Sequence, residues 1–243
     1  MRALSEAELL EAWERGLALR PARRALDLLT RAWDEEGTDP GTLSVGERDG
    51  RLLELRARLF GRRCDCRLAC PACAEQLETE VDVADLFGDA AYAASEPFAL
   101  TAGGYDLLVR LPDGHDLIGV ERCADGAAAA RALLEGCVLS AHRDGIAQDV
   151  AALPAEVVSA IEDAMAERDP GADRQLALRC PACGHDWQAP FDALAFLWAE
   201  LDAGARRTMH EVHLLASRYG WSEAEVLSVS PSRRSLYLEA TGA

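Results

Sequence analysis

Two Cys-Pro-Ala-Cys tetrads, Cys70-Pro71-Ala72-Cys73 and Cys180-Pro181-Ala182-Cys183, hold the residue types best suited to chemistry in this 243-residue sequence. A two-residue spacer lets both sulfurs of one turn face one ion. Four soft thiolates delivered as two such pairs are the ligand set of a tetrahedral structural zinc site. With every coordination position filled by protein, a Zn2+ held there stabilises the fold and has no open position at which to activate water. If the pairs share one ion, residues 74–179 are looped out and distant parts of the chain are pinned together. The surplus negative charge of four thiolates on a divalent ion is moderated by nearby Arg67 and Arg179 or by backbone amides of the knuckles.

Four further cysteines compete with this reading. Cys64 and Cys66 stand just before the first tetrad and have three readings: replacement of a nominated ligand, ligands of a second metal, or reduced bystanders beside the knuckle. A second site would need partners such as His142 or His185, which form no ordered motif, and this favours the bystander reading. Cys123 and Cys137 lie among apolar or small residues, the setting of inert buried thiols. The rival chemistry for a CPAC tetrad is thiol–disulfide exchange, which makes a thiol–disulfide oxidoreductase the enzymatic alternative. That chemistry wants its cysteines at a helix N-terminus, where the attacking thiol's pKa falls, whereas the second tetrad sits between strand candidates.

The remaining polar residues assemble no reaction centre. His210 and His213 flank Glu211 on a helix without a His-Glu-x-x-His arrangement, so His213 reads as a packing histidine and His210 as exposed. Glu200 is a lone carboxylate, read as a solvated helix-surface group. Gly103-Gly104 is a flexible turn, and no nucleophile elbow, phosphate loop or dinucleotide fingerprint is present. Arg233-Arg234 reads as surface charge or as a small patch for a partner. The expectation is therefore a protein that is not an enzyme.

Composition narrows the partners. The 25 basic residues, all arginine, face 42 acidic ones for a formal charge of −17. A field of that sign repels phosphate backbones, so general nucleic-acid binding is not expected, and a zinc-ribbon nucleic-acid-binding module is the alternative drawn from the metal motif alone. The apolar stretches, such as Ala195-Phe196-Leu197-Trp198-Ala199, fall far short of the roughly 20 residues that span a bilayer. The first residues include acids where a signal peptide would be basic, and zinc thiolates suit a reducing compartment, so a cytoplasmic protein without membrane insertion is expected.

The elements that must position the cysteines follow from periodicity. Ser5 to Glu8 and Ser44 to Glu47 have capping-box spacing ahead of apolar stripes, Leu9, Leu10, Trp13 and Leu17 in one case and Leu52, Leu53, Leu55, Leu59 and Phe60 in the other. Between them Ala25, Leu26, Leu28, Leu29 and Trp33 mark another helix, broken by the polar stretch from Glu35 to Pro40. Leu77, Thr79, Val81 and Val83 alternate as a strand after the first tetrad, and 105–111 is a second strand candidate. Residues 126–139 read as helix, as does the stripe Val157, Val158, Ile161 and Met165 after Pro154. Leu176 and Leu178 lead into the second tetrad and Trp187 follows it, giving strand, knuckle, strand, with Gly184 free to take positive φ. A long helix from Asp192 ends at Gly220; Ser222, Glu225 and the Trp221–Val226 staple start the next, and Ser230-Pro231 starts the last. The expected class is α+β, predominantly helical: a helical body with an inserted zinc-ribbon-like β element. The expected divisions are an N-terminal helical segment (1–62), a zinc-clasped α/β middle region (63–191) and a C-terminal helical segment (192–243) packed with the rest.

Taken in order, these features resemble a known family. The segment Gly46-Glu47-Arg48-Asp49 through Leu59-Phe60-Gly61, the first CPAC with Glu75-Gln76-Leu77-Glu78, and the second CPAC with Gly184-His185-Asp186-Trp187, Phe191-Asp192 and Phe196-Leu197-Trp198 are similar to baseplate hub assembly proteins of contractile phage tails and related contractile injection systems. Glu211-Val212-His213-Leu214-Leu215-Ala216, Tyr219-Gly220-Trp221-Ser222-Glu223 and Arg233-Arg234-Ser235-Leu236-Tyr237-Leu238 extend the likeness. The resemblance implies a non-enzymatic assembly chaperone or baseplate component that engages other baseplate or hub proteins, with CPAC pairs matching those of zinc-bearing relatives. It makes Trp198, Tyr219, Trp221 and Tyr237, together with Arg233 and Arg234, candidates for a partner surface, against the alternative that such aromatics pack internally.

Overall fold

The computed structural model describes residues 1–35, 37–87 and 96–241. Residue 36 of the expected Glu35–Pro40 break, part of the expected middle region (88–95) and the last two residues of the expected C-terminal segment lie outside the described residues. The described chain is predominantly helical with three small antiparallel sheets.

Three helices, α1 (Glu6–Leu17), α2 (Pro21–Ala32) and α3 (Val45–Phe60), open the chain. The first starts where Ser5 and Glu8 close a reciprocal capping box. At α3 only half of the expected box forms: Ser44 caps the Glu47 amide, while the Glu47 carboxylate turns to Arg51 instead. Their apolar stripes, including Ala12, Leu28, Leu29, Leu52, Leu53 and Leu55, are buried in the main core. Leu194, Leu197 and Leu201, from the long helix near the other end of the chain, complete it.

Directly after α3 comes a hairpin of β1 (Arg63–Ala69) and β2 (Gln76–Asp82), with Cys66 opposite Thr79 and Leu68 opposite Leu77. The sequence pattern predicts a strand after the first tetrad and none before it, whereas β1 precedes it. The alternation of charged and small residues in Arg63-Cys64-Asp65-Cys66-Arg67 does carry the period-two signal, once cysteine is counted as apolar. Its inner face, Cys64 and Cys66, belongs to the main core.

The short α4 (Val83–Phe87) still packs on the main core through Val83 and Leu86. A second packed unit follows from residue 98, comprising strands β3 (Phe98–Ala102) and β4 (Tyr105–Val109), helices α5 (Gly114–Val120) and α6 (Gly126–Cys137), strands β5 (Val138–Arg143) and β6 (Ile146–Ala147), and α7 (Ala155–Arg168). The sheet runs β3-β4-β5-β6, antiparallel throughout, and Gly103-Gly104 form its first turn with φ of 58° and 80°. Tyr105, Leu107, Val109, Val138 and Ala141 from the sheet bury against Val157 and Ile161 of α7. The helix expected to reach 139 stops at Cys137, because Val138 pairs with Val109 and the chain continues as strand. This unit meets the helical body through carboxylates at helix N-termini: Asp169 accepts from the Gly46 amide at 2.8 Å and Glu121 from the Ala22 amide at 2.6 Å. A side chain at Gly46 would collide with Asp169, so the close approach requires glycine there.

A second hairpin, β7 (Gln175–Arg179) and β8 (Asp186–Pro190), leads to the long α8 (Ala193–Tyr219), which Asp192 caps and Gly220 ends at φ 71°. Two last helices, α9 (Glu223–Ser228) with its Ser222–Glu225 capping box and α10 (Pro231–Thr241), fold back on α8 over Val212, Leu215 and Val226. In place of the single inserted β element expected, the described residues form two separate two-stranded hairpins and a four-stranded sheet, and among the described residues no sheet closes into a ribbon barrel. The looped-out residues carry their own apolar core and so build their own sheet.

Candidate metal centre

The two hairpins bring their tips together. Sγ of Cys70 lies 3.7 Å from that of Cys183, and Sγ of Cys73 lies 3.6 Å from that of Cys180. All four sulfurs fall within 4.8 Å of one another. A tetrahedral ion with metal–sulfur bonds near 2.3 Å places its sulfurs about 3.8 Å apart, so the spacing fits that geometry. It is far from the roughly 2.05 Å of a disulfide.

Each tip is a knuckle of the same design. In the first, the Cys70 amide donates to the Glu75 carbonyl at 2.9 Å and the Ala74 amide to the Cys70 carbonyl at 2.8 Å. In the second, the Cys180 amide donates to the His185 carbonyl and the Gly184 amide to the Cys180 carbonyl, both at 2.9 Å. The residue after each tetrad adopts positive φ, 73° for Gly184 as expected and 60° for Ala74. These turns aim backbone amides at the sulfurs: those of Cys183 and Ala182 hold the Cys180 thiol down to about 7. The Glu75 amide likewise favours a Cys73 thiolate, but the crowding sulfurs of Cys183, Cys180 and Cys70 push that thiol up to about 12. Sulfurs that crowd together and contend for protons, raising the proton affinity of Cys73 and lowering that of Cys180, while amides stabilise their charge, make an arrangement that a thiophilic cation relieves. Cys70 and Cys180 are buried beside Leu77 and half-buried Trp187, whereas Cys73 and Cys183 face solvent.

The other cysteines stand outside this cluster. Cys64 and Cys66 point into the main core, where burial pushes the Cys64 thiol up to about 11 and raises Cys66 as well; neither replaces a nominated ligand in the cluster. Cys137 is buried and likewise pushed up to about 11 by burial, and Cys123 is half-buried. Arg67 and Arg179 are turned to Glu78 and Asp186 on the facing strands.

Several sequence readings change. Glu200 is no solvated lone carboxylate: both its oxygens take hydrogen bonds from Arg56, at 2.7 and 2.6 Å, and Arg56 is only 2% exposed. Its partner lies on another helix and so left no signal in local spacing. His213 is exposed and not a packing histidine, because the α8 face it occupies is turned away from α9 and α10; His210 is exposed as expected. Arg234 is neither surface charge nor available to a partner: it is 2% exposed and held by Glu6 at 2.5 and 2.6 Å and by Glu211 at 3.0 Å. It ties the last helix to the first. Among the other candidates for a partner surface, Trp198 is half-buried under the Arg24 guanidinium, 4.0 Å from its ring centre. Tyr219 stacks on Trp221 at 5.1 Å and Tyr237 meets both edge-on at 5.8 and 5.1 Å, with Tyr219 and Arg233 exposed.

No helix among the described residues is long and apolar enough to cross a membrane. Neither the curated proteins nor the solved structures contain a match to the chain. Residues 23–198, a span from α2 into α8 that includes both knuckles, match the family model described as T4 bacteriophage base plate protein. That span covers well over half of the sequence, and with it the chain belongs to the T4 bacteriophage base plate protein family.

Proposed function

We propose that this base plate family protein acts as an assembly chaperone for the baseplate hub of a contractile tail or contractile injection system, through protein–protein contacts and around a structural Zn2+ held by Cys70, Cys73, Cys180 and Cys183. The general baseplate role is non-enzymatic and follows from the family. The observation that carries the finer reading is the convergence of the four sulfurs from two hairpins far apart in sequence. A tetrathiolate ion there leaves no open coordination position, and its effect is to fix the two hairpins, and the helices attached to them, in one relation. A preformed surface lowers the ordering cost of association, which is what a protein that hands components to one another requires. The cysteines sit in hairpin turns and not at a helix N-terminus, which argues against a disulfide oxidoreductase. In this reading the protein works in the cytoplasm during assembly, and its partners are other baseplate or hub proteins.

Purified particles and their assembly intermediates, quantified by mass spectrometry, test the role. A chaperone is abundant in intermediates and depleted from finished particles. Stoichiometric retention in finished particles identifies a structural baseplate component instead and overturns the chaperone assignment.

A further inference from the structure

The apolar residues at the end of the chain do not belong to the main core. Val212 and Leu215 of α8 bury with Val226 of α9, and half-buried Trp221, Leu227, Tyr237 and Leu238 pack around them as a separate cluster. Leu194, Leu197 and Leu201, from the first part of the same helix, lie in the main core. Thus α8 carries two apolar stretches with different cover, the opening helices over the first and α9 with α10 over the second. The second cover is thin. Of residues 221–241 only Val226 and Arg234 are fully buried, and Leu236 is 64% exposed. Breaks in the helical backbone bound its parts, at Gly220 in the left-handed region and at extended Val229 with ψ 131°.

One side chain supplies the polar grip. From α10, Arg234 donates to Glu6 of α1 at 2.5 and 2.6 Å, to Glu211 of α8 at 3.0 Å and to the Val229 carbonyl at 2.9 Å. A buried guanidinium needs such partners, because an uncompensated charge in the interior is costly. Losing the Glu6 carboxylate would free α10 from its ion pair with α1 and leave the cation with a single carboxylate.

We propose that α9 and α10 form a strap that opens from α8 as one unit, with Arg234 as its latch, baring the Val212–Leu215 stripe while the main core stays folded. The free energy of a local opening is set by the contacts of the segment that opens, so a segment with few buried apolar residues opens more readily than the whole chain. The strap is a gate on an apolar helix face, and its latch reaches the first turn of α1, at the other end of the sequence. The gate does not depend on whether the protein leaves the finished particle or stays in it.

Amide hydrogen exchange on the full chain, resolved by peptide under native conditions, tests the proposal. Helices as short as α9 and α10 do not persist alone, so their amides exchange once the strap leaves α8. In the wild type, residues 221–234 should exchange through one shared opening, faster than residues 45–60 of α3 and 193–201 of α8. Glu6→Gln, a substitution on a different element, should speed exchange in 221–234 about tenfold or more and leave both core segments unchanged. Arg234→Met should do the same, and Arg233→Ala, at an exposed neighbour on α10, should alter neither region. If Arg234→Met fails to fold, Glu6→Gln decides alone. Equal acceleration of the strap and the core segments by Glu6→Gln overturns the proposal, because the strap then opens only with the whole molecule. Unchanged exchange in 221–234 overturns it as well.

Discussion

The two knuckles present the same backbone with different means of holding it. Both tetrads make the same pair of turn hydrogen bonds and both are followed by a residue in the left-handed region. The second uses glycine there, at no steric cost, while the first holds Ala74 at φ 60°, a conformation that costs an L-residue roughly 1–2 kcal/mol. Their support differs in the opposite sense. The first hairpin presses Cys64 and Cys66 into the main core, with Val81 packed against it, and follows α3 directly; the second adds only half-buried Leu176 to that core and packs Trp187 against the sulfur cluster. A strained turn therefore persists where the surrounding packing over-determines it, and a relaxed turn serves where the packing is thin. The backbone that aims the sulfurs is the shared requirement, and each half of the chain meets it with the residues its surroundings allow.

If one ion is shared, the two knuckles must fail together. Cys70→Ser and Cys180→Ser should each lower stability by several kcal/mol and by similar amounts, since either removes a ligand from the same ion, as thermal melts can show. A large loss from one variant and none from the other breaks the symmetry. The inequality of support predicts the converse for chelation. Stripping metal should cost the second hairpin, residues 175–190, more amide protection in hydrogen exchange than residues 63–82, because the first keeps its core contacts. Arg56→Ala should cost about 3 kcal/mol in denaturant titration, the low end for breaking a buried pair because Glu200 remains partly solvated, and should loosen the junction of α3 with the first hairpin. The smallest effects come from exchanging the turn residues. Gly184→Ala should destabilise by about 1–2 kcal/mol from backbone strain alone, as an added Cβ would meet nothing within 4 Å, whereas Ala74→Gly should be neutral to stabilising by up to about 1 kcal/mol. Equal signs for these two substitutions would remove the contrast drawn between the knuckles.

Much of this was legible because its signals are local. The two-residue spacers, the Ser5 and Ser222 caps, the stop at Gly220 and the positive φ of Gly184 each depend on neighbours within one turn. What the sequence hid depends on partners far along the chain. The first strand was masked by cysteines serving as core residues, and Val138 and Leu139 fit a helical or an extended pattern equally until Val138 pairs with Val109 and Ser140 with Leu108. The roles of Glu200 and Arg234 lie in ion pairs that join residues 56 with 200 and 6 with 234, beyond the reach of any spacing rule. The pairing of the two knuckles is the exception, a long-range contact that four equivalent ligands announce from sequence alone.

Zinc K-edge X-ray absorption on the purified chain, with metal content measured on the same sample, tests the shared clasp most directly. The account predicts one zinc per chain surrounded by four sulfurs at about 2.3 Å, with that signature lost in both Cys70→Ser and Cys180→Ser. Full zinc retention with an unchanged sulfur shell in both variants would contradict it.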